Sequence, residues 1–249
     1  MTRMALDLTL KLDRCVAMLV RHPEPGKVKT RLAKKYGNAF AAELYGYFVE
    51  DLLATLEPGN FHLEIFFTPA ERYPEIRQRF GSRFSCTPQQ GEGLGERMKN
   101  AFRCCFTKGF NATVLIGSDS PDLTMRVIEE AFLSIESGND AVVGPAFDGG
   151  YYLIGFHADT FAPAIFKDMP WGESGVLEKT VKRLHDRGCR IHLAPTWHDI
   201  DTEEDLAALW ARHENTPCSH SRTTAFLRDR SGGYVDLQGR ACTLPDDQK

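Results

Sequence analysis

No apolar run in this 249-residue chain is longer than six residues, as at Cys15–Val20. A membrane-spanning helix needs roughly 18 or more, so none is expected. Positive charge is not in excess either. Thirty Lys and Arg stand against 34 Asp and Glu, a formal charge of −4, so neither nucleic acid nor an anionic membrane surface is an expected partner. The seven cysteines are odd in number, contain no C-x-x-C spacing and include one adjacent pair, Cys104 and Cys105. A disulfide framework is therefore not expected, and the composition suits a reducing cytoplasm. His213, Cys218 and His220 lack the second close ligand pair that a zinc site would need. Asp7 and Asp13 interrupt the N-terminal apolar stretch, which is unlike a secretory leader. No Ser-His-Asp or Cys-His set stands out, and the Walker pattern G-x-x-x-x-G-K-[ST] is missing. What is present, 42% hydrophobic, 26% charged and 10% aromatic residues, describes an ordinary folded chain of one large domain or two small ones.

From residue 15 to about 212, short β-rich runs alternate with amphipathic helical stretches, the pattern of an α/β sheet covered by helices. The predicted strands are Cys15–Val20, Leu63–Thr68, Phe84–Thr87, Thr113–Gly117, Ala141–Gly144, Tyr151–Phe156 and Arg190–Leu193. Between them apolar residues recur at intervals of three and four: Phe40, Leu44, Phe48, Leu52, Leu56; Leu94, Met98, Phe102, Cys105; Val127, Ala131, Ile135; and Leu177, Val181, Leu184. Thr124 and Ser174 are predicted N-caps, and Thr202 with Asp205 approximates a capping box. Residues 1–14 form an extension in which Leu6, Leu8, Leu10 and Leu12 alternate with other residues like an edge strand. Residues 213–249 are polar and turn-rich, an appendage with at most one hairpin near Gly233–Leu244.

The first predicted strand runs into Arg21-His-Pro-Glu-Pro-Gly-Lys-Val-Lys-Thr-Arg31, with Lys34 and Lys35 following: six Lys or Arg against one acid, Glu24. Such local asymmetry in an acidic chain asks for an anion. In open α/β sheets, ligands sit beyond the carboxyl ends of the strands, where loop amides and helix N-termini meet phosphates. Pro23, Pro25 and Gly26 would shape that loop, and Lys27, Lys29 and Arg31 would supply charge. A solvated basic turn is the plainer alternative.

A second predicted strand, Thr113–Gly117, delivers Ser118-Asp119-Ser-Pro-Asp122. A carboxylate there can hold Mg²⁺ (or Mn²⁺), which needs only one or two carboxylates besides substrate phosphates. The alternative is that Asp119 caps the helix beginning near Leu123. Asp199-Ile-Asp201-Thr-Glu-Glu-Asp205 is read the same way, as a short strand, an acid and a helix. Asp201 is the better second metal ligand and Asp205 complements the helix dipole.

Gln89-Gln-Gly-Glu-Gly-Leu-Gly-Glu-Arg97 opens a helix with three glycines, but its spacing is G-x-G-x-G and Glu92 would oppose a pyrophosphate. Contacts from this loop to a base or ribose are the better expectation, with Gln90, Gly91, Gly93 and Arg97 as candidates. Asp148-Gly149-Gly150-Tyr-Tyr152 could bring backbone close to a ligand while Asp148 accepts from sugar hydroxyls, or it could be a D-G hairpin turn. Trp171, one of three tryptophans, lies in a loop before a helix and could line a pocket or pack beneath that loop.

Taken in order, Pro25-Gly-Lys-Val-Lys-Thr-Arg-Leu32, Gln90-Gly-Glu-Gly-Leu-Gly-Glu-Arg-Met98, Ile116-Gly-Ser-Asp-Ser-Pro-Asp-Leu123, Asp148-Gly-Gly-Tyr-Tyr-Leu153, Pro170-Trp-Gly172 and Asp199-Ile-Asp-Thr-Glu-Glu-Asp-Leu206 resemble a bacterial glycosyltransferase-A-like family of nucleotide-diphospho-sugar transferases, the selenodomain-associated transferase type. The resemblance covers residues 15–212, and the wider superfamily includes molybdenum cofactor guanylyltransferase, 2-phospholactate guanylyltransferase and CMP-KDO synthetase. It implies a glycosyltransferase-A fold with a single mixed, mostly parallel sheet flanked by helices. It also implies phosphate binding by Lys29 and Arg31, Mg²⁺ binding by Asp119 and Asp201, and a sugar or acceptor site along Asp148–Tyr152. One departure is that Asp119-Ser-Pro-Asp122 stands where metal-dependent glycosyltransferases carry D-x-D.

Two reactions fit a nucleotide held by Mg²⁺ and a basic loop: nucleotidyl transfer from a nucleoside triphosphate to a phosphorylated small-molecule acceptor, and glycosyl transfer from a nucleotide-sugar. The density of cations over residues 21–35 and the lack of D-x-D favour the first. In the second, Asp148 or Glu173 would be the base. A third reading is a nucleotide-sugar-binding regulator without catalysis. A homodimer is left open as the assembly state.

Overall fold

The computed structural model describes residues 13–81, 83–213 and 221–231. They divide into two compact units, residues 13–22 with 52–199 and residues 23–51 with 200–231.

The first unit is built on a seven-stranded sheet in the order β3-β2-β1-β4-β6-β5-β7. The strands are β1 (Arg14–Arg21), β2 (His62–Thr68), β3 (Ser85–Pro88), β4 (Ala112–Ile116), β5 (Ala141–Pro145), β6 (Tyr151–His157) and β7 (Ile191–Leu193). Each of the seven strands expected between residues 15 and 193 forms, shifted by at most a residue or so. Only β6 runs against its neighbours, pairing antiparallel with β4 and β5, whereas β1–β2, β1–β4, β2–β3 and β5–β7 are parallel. The sheet is thus mixed and mostly parallel. Its central strands read as unbroken apolar runs because both their faces are covered; all five residues of β4 are buried.

One face packs Cys15, Ala17, Leu115, Ile154 and Phe156 with Met98, Phe102 and Cys105 of α4 (Leu94–Thr107) and Leu184 of α6 (Val176–His185). On the other face Gly155 lies beneath Val142, Val114 and Ile135, the last from α5 (Met125–Glu136); a Cβ at this glycine would stand 2.8 Å from Val142. α5 is tied to the first strand by Arg14, whose guanidinium meets both carboxylate oxygens of Glu136 at 2.6 Å and Glu129 at 3.1 Å. The remaining helix of this unit is α3 (Tyr73–Phe80).

The second unit contains α1 (Thr30–Tyr36), most of α2 (Asn38–Leu56), α7 (Glu203–His213) and α8 (Arg222–Ser231). The spacing read from α2 holds along its length, since Phe40, Leu44, Phe48, Leu52 and Leu56 are all buried. The last helix is a correction, because the polar, turn-rich tail announced no helix. It forms because Asp51 satisfies its N-terminus: the backbone N–H groups of Arg222 and Thr223 donate to the two carboxylate oxygens at 2.7 and 2.9 Å. Phe226 then packs against Phe40 and Tyr47, with ring centroids 5.2 and 5.0 Å apart. Capping and packing from a distant helix override a weak local pattern.

Other details also differ. Leu94, at the first turn of α4, is exposed. The buried seam of α6 is Val176, Thr180 and Leu184, with Leu177 and Val181 half-buried, and its N-cap is Gly175 at φ +94° rather than Ser174. Thr124 does cap α5, without a side-chain hydrogen bond. No strand precedes Asp199; Trp197 makes a single bridge to Ala146. The expected strand at Leu6–Leu12, the hairpin at Gly233–Leu244, and Cys218 and His220 lie outside the described residues. Among those described, no helix is long and apolar enough to cross a membrane.

Within the first unit Glu64 of β2 is fully buried, 0% exposed. Burial alone would push its carboxyl up. Hydrogen bonds from His62 (3.0 Å), Lys108 (2.7 Å) and Thr87 (2.6 Å) outweigh burial and hold it at about 2. A depressed folded pKa gives stability that is present above the ordinary value of 4.5 and lost as pH falls towards 2. Glu64→Gln is therefore expected to cost roughly 3 kcal/mol at pH 7, at 1.36 kcal/mol per pKa unit. It should also flatten the acid limb of stability against pH. Urea unfolding across pH checks this, and an unchanged acid limb would contradict it.

Candidate functional site

Six of the seven strands point the same way, so their carboxyl ends share one edge. At that edge β4 emits Ser118–Asp122. Ser120 Oγ donates to Asp199 Oδ1 at 2.7 Å, and the Trp197 indole N–H donates to Asp122 Oδ1 at 3.0 Å. Two of the local acids, Asp122 and Asp199, thus tie the segment after β4 to the segment after β7. Burial pushes the Tyr152 phenol up, Asp199 adds to this, and its hydroxyl donates to Pro195 O at 2.9 Å. Asp119 is half-buried at the strand end. It is not the helix cap, because α5 starts at Met125 with Thr124 as its cap. Among the described residues there is no cluster of three or more His, Cys, Asp or Glu arranged to hold a metal.

After β3, the Gln89 side chain donates to the carbonyls of Val20 (3.1 Å) and Phe66 (2.8 Å), bridging the ends of β1 and β2. The following loop folds back on α4. Asn100 Nδ2 donates to Gln90 O and Arg97 Nε to Gly91 O, both at 3.0 Å. Gly93 caps the helix, accepting from Arg97 N at 3.0 Å. Gly91 lies at φ +122°, and a Cβ there would come within 2.6 Å of Glu96 Cβ, so only glycine fits. The four residues expected to meet a nucleotide are therefore gathered in one turn, where Arg97 also fastens the loop. Trp171 packs over this turn: a Cβ on Gly95 would stand 2.8 Å from its indole nitrogen, and its ring meets Tyr151 edge-on at 6.2 Å. Of the two expectations for Trp171 the structure shows packing, since the ring lies against the first turn of α4 and the core beneath it.

The segment between β5 and β6 is a hairpin turn, closed by Ala146 N–H to Gly150 O at 3.0 Å. The Gly150 N–H donates to Asp148 Oδ1 at 2.8 Å, and Gly149 stands at φ +90°. Asp148 thus serves the turn with one of its oxygens. The sequence reading missed the residue beside it. Phe147 is 65% exposed and stacks on His198, with ring centroids 4.0 Å apart and planes 20° apart. An aromatic residue inside an otherwise turn-forming stretch was the available signal.

The basic loop lies in the second unit. Pro25 and Gly26 (φ +78°) make a turn closed by Lys27 N–H to Glu24 O at 3.0 Å. Lys27, Arg31 and Lys34 are exposed. Lys29 is different. Its backbone is left-handed (φ 44°, ψ 47°), it sits at the N-cap of α1, and its side chain is only 3% exposed. Its ammonium donates to Asp201 Oδ1 at 2.9 Å and lies 5.6 Å from the centre of the Phe48 ring. Asp201 is also held through its backbone, since the Asp201 and Thr202 N–H groups donate to Asp205 Oδ2 at 3.1 and 2.8 Å. Asp205 N–H returns a bond to Thr202 Oγ1 at 3.3 Å, completing the predicted capping box. The residue assigned to phosphate and the residue assigned to metal are thus each other's partners here. A strained, buried, ion-paired lysine is a costly arrangement of the kind that clusters at functional sites.

The sequence profile of the family described as "Uncharacterized protein conserved in bacteria (DUF2064)" matches residues 52–173. The crystal structure of a "putative nucleotide-diphospho-sugar transferase" from Desulfovibrio desulfuricans G20 is 39% identical, with a TM-score of 0.85, covering 88% of this chain and 96% of that one. A cytidylyltransferase from Leptospira borgpetersenii serovar Hardjo-bovis shares the fold at 14% identity and TM-score 0.52, covering 94% of this chain and 99% of that one. CMP:2-keto-3-deoxy-manno-octonic acid synthetase complexed with CTP does so at 11% identity and TM-score 0.51, with 81% and 98% covered. None of the curated proteins matches. The fold is that of the nucleotidyltransferases and glycosyltransferase-A-like proteins, as the sequence motifs implied.

The Lys29 backbone and side chain can be tested apart. Lys29→Gly removes the ion pair but also the left-handed strain, and is expected within about 1 kcal/mol of the parent. Lys29→Met keeps the strain and loses the pair, and is expected to be about 1–2 kcal/mol less stable than the glycine variant. Urea denaturation of the two variants decides it; a methionine variant at least as stable as the glycine one would show that packing of the buried stem outweighs the backbone strain.

Proposed function

The chain belongs to the same family as the Desulfovibrio desulfuricans protein, and on that premise we propose that it is a Mg²⁺-dependent transferase acting on a nucleoside polyphosphate. Nucleotidyl transfer to a phosphorylated small-molecule acceptor is the reading we favour. The observation that carries it is the basic loop: of its six cations, Arg21, Lys27, Arg31, Lys34 and Lys35 are exposed while Lys29 is fixed against Asp201. That much charge suits a triphosphate.

In this reaction an acceptor phosphate oxygen attacks the α-phosphorus, the bond to the α–β bridging oxygen breaks, and pyrophosphate carries away the electron pair. Lys27 and Arg31 bind the β and γ oxygens, where the leaving charge gathers. Such chemistry asks for positioning and neutralisation rather than a covalent nucleophile. Mg²⁺ or Mn²⁺ would polarise the phosphoryl oxygens as a Lewis acid. Asp119, at the end of β4, is the carboxylate of the first unit that we assign to it, and Asp201 is the candidate of the second unit. Both are hard oxygen donors, and Asp201 remains 47% exposed beside Lys29, which suits a cation that retains waters. Lys29 then orients Asp201 rather than meeting phosphate itself. The turn at Gln90–Arg97 is assigned to the nucleoside and the turn at Asp148–Gly150, with Trp171 nearby, to the acceptor.

The name given to the Desulfovibrio desulfuricans relative favours the second reading, glycosyl transfer from a nucleotide-sugar. Isothermal titration of GTP, CTP, UDP-glucose and GDP-mannose with and without Mg²⁺, followed by product analysis, separates the cases. Pyrophosphate release supports nucleotidyl transfer and nucleoside diphosphate release supports glycosyl transfer. Tight binding with neither product indicates a regulatory binder. Under the favoured reading Asp119→Ala lowers the rate of pyrophosphate release on the order of a hundredfold or more, at 1.36 kcal/mol per tenfold. A variant with parental activity would remove Asp119 from the metal site.

A further inference from the structure

Phe147 is a large apolar side chain left 65% exposed on the turn between β5 and β6. It is not loosely placed. Its N–H donates to Trp197 O at 3.3 Å, Trp197 N–H donates to Pro145 O at 2.9 Å, and Ala146 bridges Trp197. The Trp197 indole is anchored on Asp122 and the Tyr152 hydroxyl on Pro195 O. His198 then supports the Phe147 ring from one side at 4.0 Å. A rigid mount under a solvated aromatic ring is the form of a recognition surface rather than of a core residue.

Its place follows from strand register. Leu153 of β6 faces Ile116 of β4, and Gly117 N–H donates to Tyr152 O at 3.2 Å. The turn before Tyr151 therefore lies at the edge where β4 delivers Asp119. Along the chain the two rings are flanked by acids, Asp148 beside Phe147 and Asp199 beside His198, with Asp122 tied to the adjoining Trp197. Such surroundings disfavour an anionic group on the ring and favour an uncharged flat face, a C–H or π surface.

We propose that the Phe147–His198 stack is the specificity-determining platform for the acceptor, selecting a phosphorylated compound whose ring presents an apolar face. The ring is either a pyranose or an aromatic ring, whose shared chemistry is an apolar face of ring size. This rests on the nucleotidyl-transfer reading above, in which the acceptor brings the phosphate and the platform takes the rest of it.

The test uses the full chain with Mg²⁺ and three probes in isothermal titration: glucose 1-phosphate, phenyl phosphate and glycerol 1-phosphate. One or both ring phosphates should bind about tenfold more tightly than glycerol 1-phosphate, the scale of one aromatic contact. Whichever binds better identifies the kind of ring. Phe147→Ala should abolish that preference while leaving glycerol 1-phosphate, CTP binding and the thermal midpoint unchanged, and Phe147→Trp should restore it. The proposal is overturned if neither ring phosphate outbinds glycerol 1-phosphate, or if Phe147→Ala leaves the preference in place or weakens all three probes equally. Failure of the transferase reading shows itself elsewhere, as absence of pyrophosphate release from any nucleotide, whatever the ring preference.

Discussion

The direction of the strands governs everything else in the first unit. With β1, β2, β3, β4, β5 and β7 all running one way, every loop that leaves a carboxyl end does so at a single edge. There β4 presents Asp119, the segment after β3 opens α4 with its glycine-bearing turn, and the hairpin after β5 carries Asp148 and Phe147. The antiparallel β6 contributes by the same geometry, returning its amino end to that edge and fixing Tyr152 beside Gly117. A sheet buried on both faces holds these loops still, because its core residues have almost no freedom to shift without opening voids.

The second unit is organised around charge. Asp51 accepts the N-terminus of α8, Asp205 closes the start of α7, and Lys29 meets Asp201. Each contact puts a carboxylate where a helix end or an ammonium would otherwise stand unsatisfied. Among them Lys29 is the exception in cost. It combines a left-handed backbone with a nearly inaccessible ammonium, and a glycine would suit the backbone better.

Proximity has also changed what several polar residues do. Arg97 and Asp148 look like ligand-binding groups when read along the chain, and Asp122 and Asp199 stand close in sequence to the acids expected to hold metal. In the fold each makes a hydrogen bond that shapes a loop. Glycines have their reasons as well: Gly91 avoids Glu96 and Gly95 makes room for Trp171. A glycine-rich segment can therefore be a packing device and the start of a helix in the same few residues.

The sequence by itself determined the order and type of the elements. Buried parallel strands must be continuous apolar runs, and covering helices must repeat apolar residues every three or four, so β1 and α2 could be read directly. It also determined the basic loop and the strand-end acid, since both are local in composition. Tertiary structure alone decided the partnerships. Lys29 meets Asp201 across 172 positions, the polar segment 222–231 becomes a helix because Asp51 lies at its start, and Phe147 finds His198 through a bridge at Trp197. Such pairings depend on where the chain returns in space, and no local periodicity or charge count carries that information.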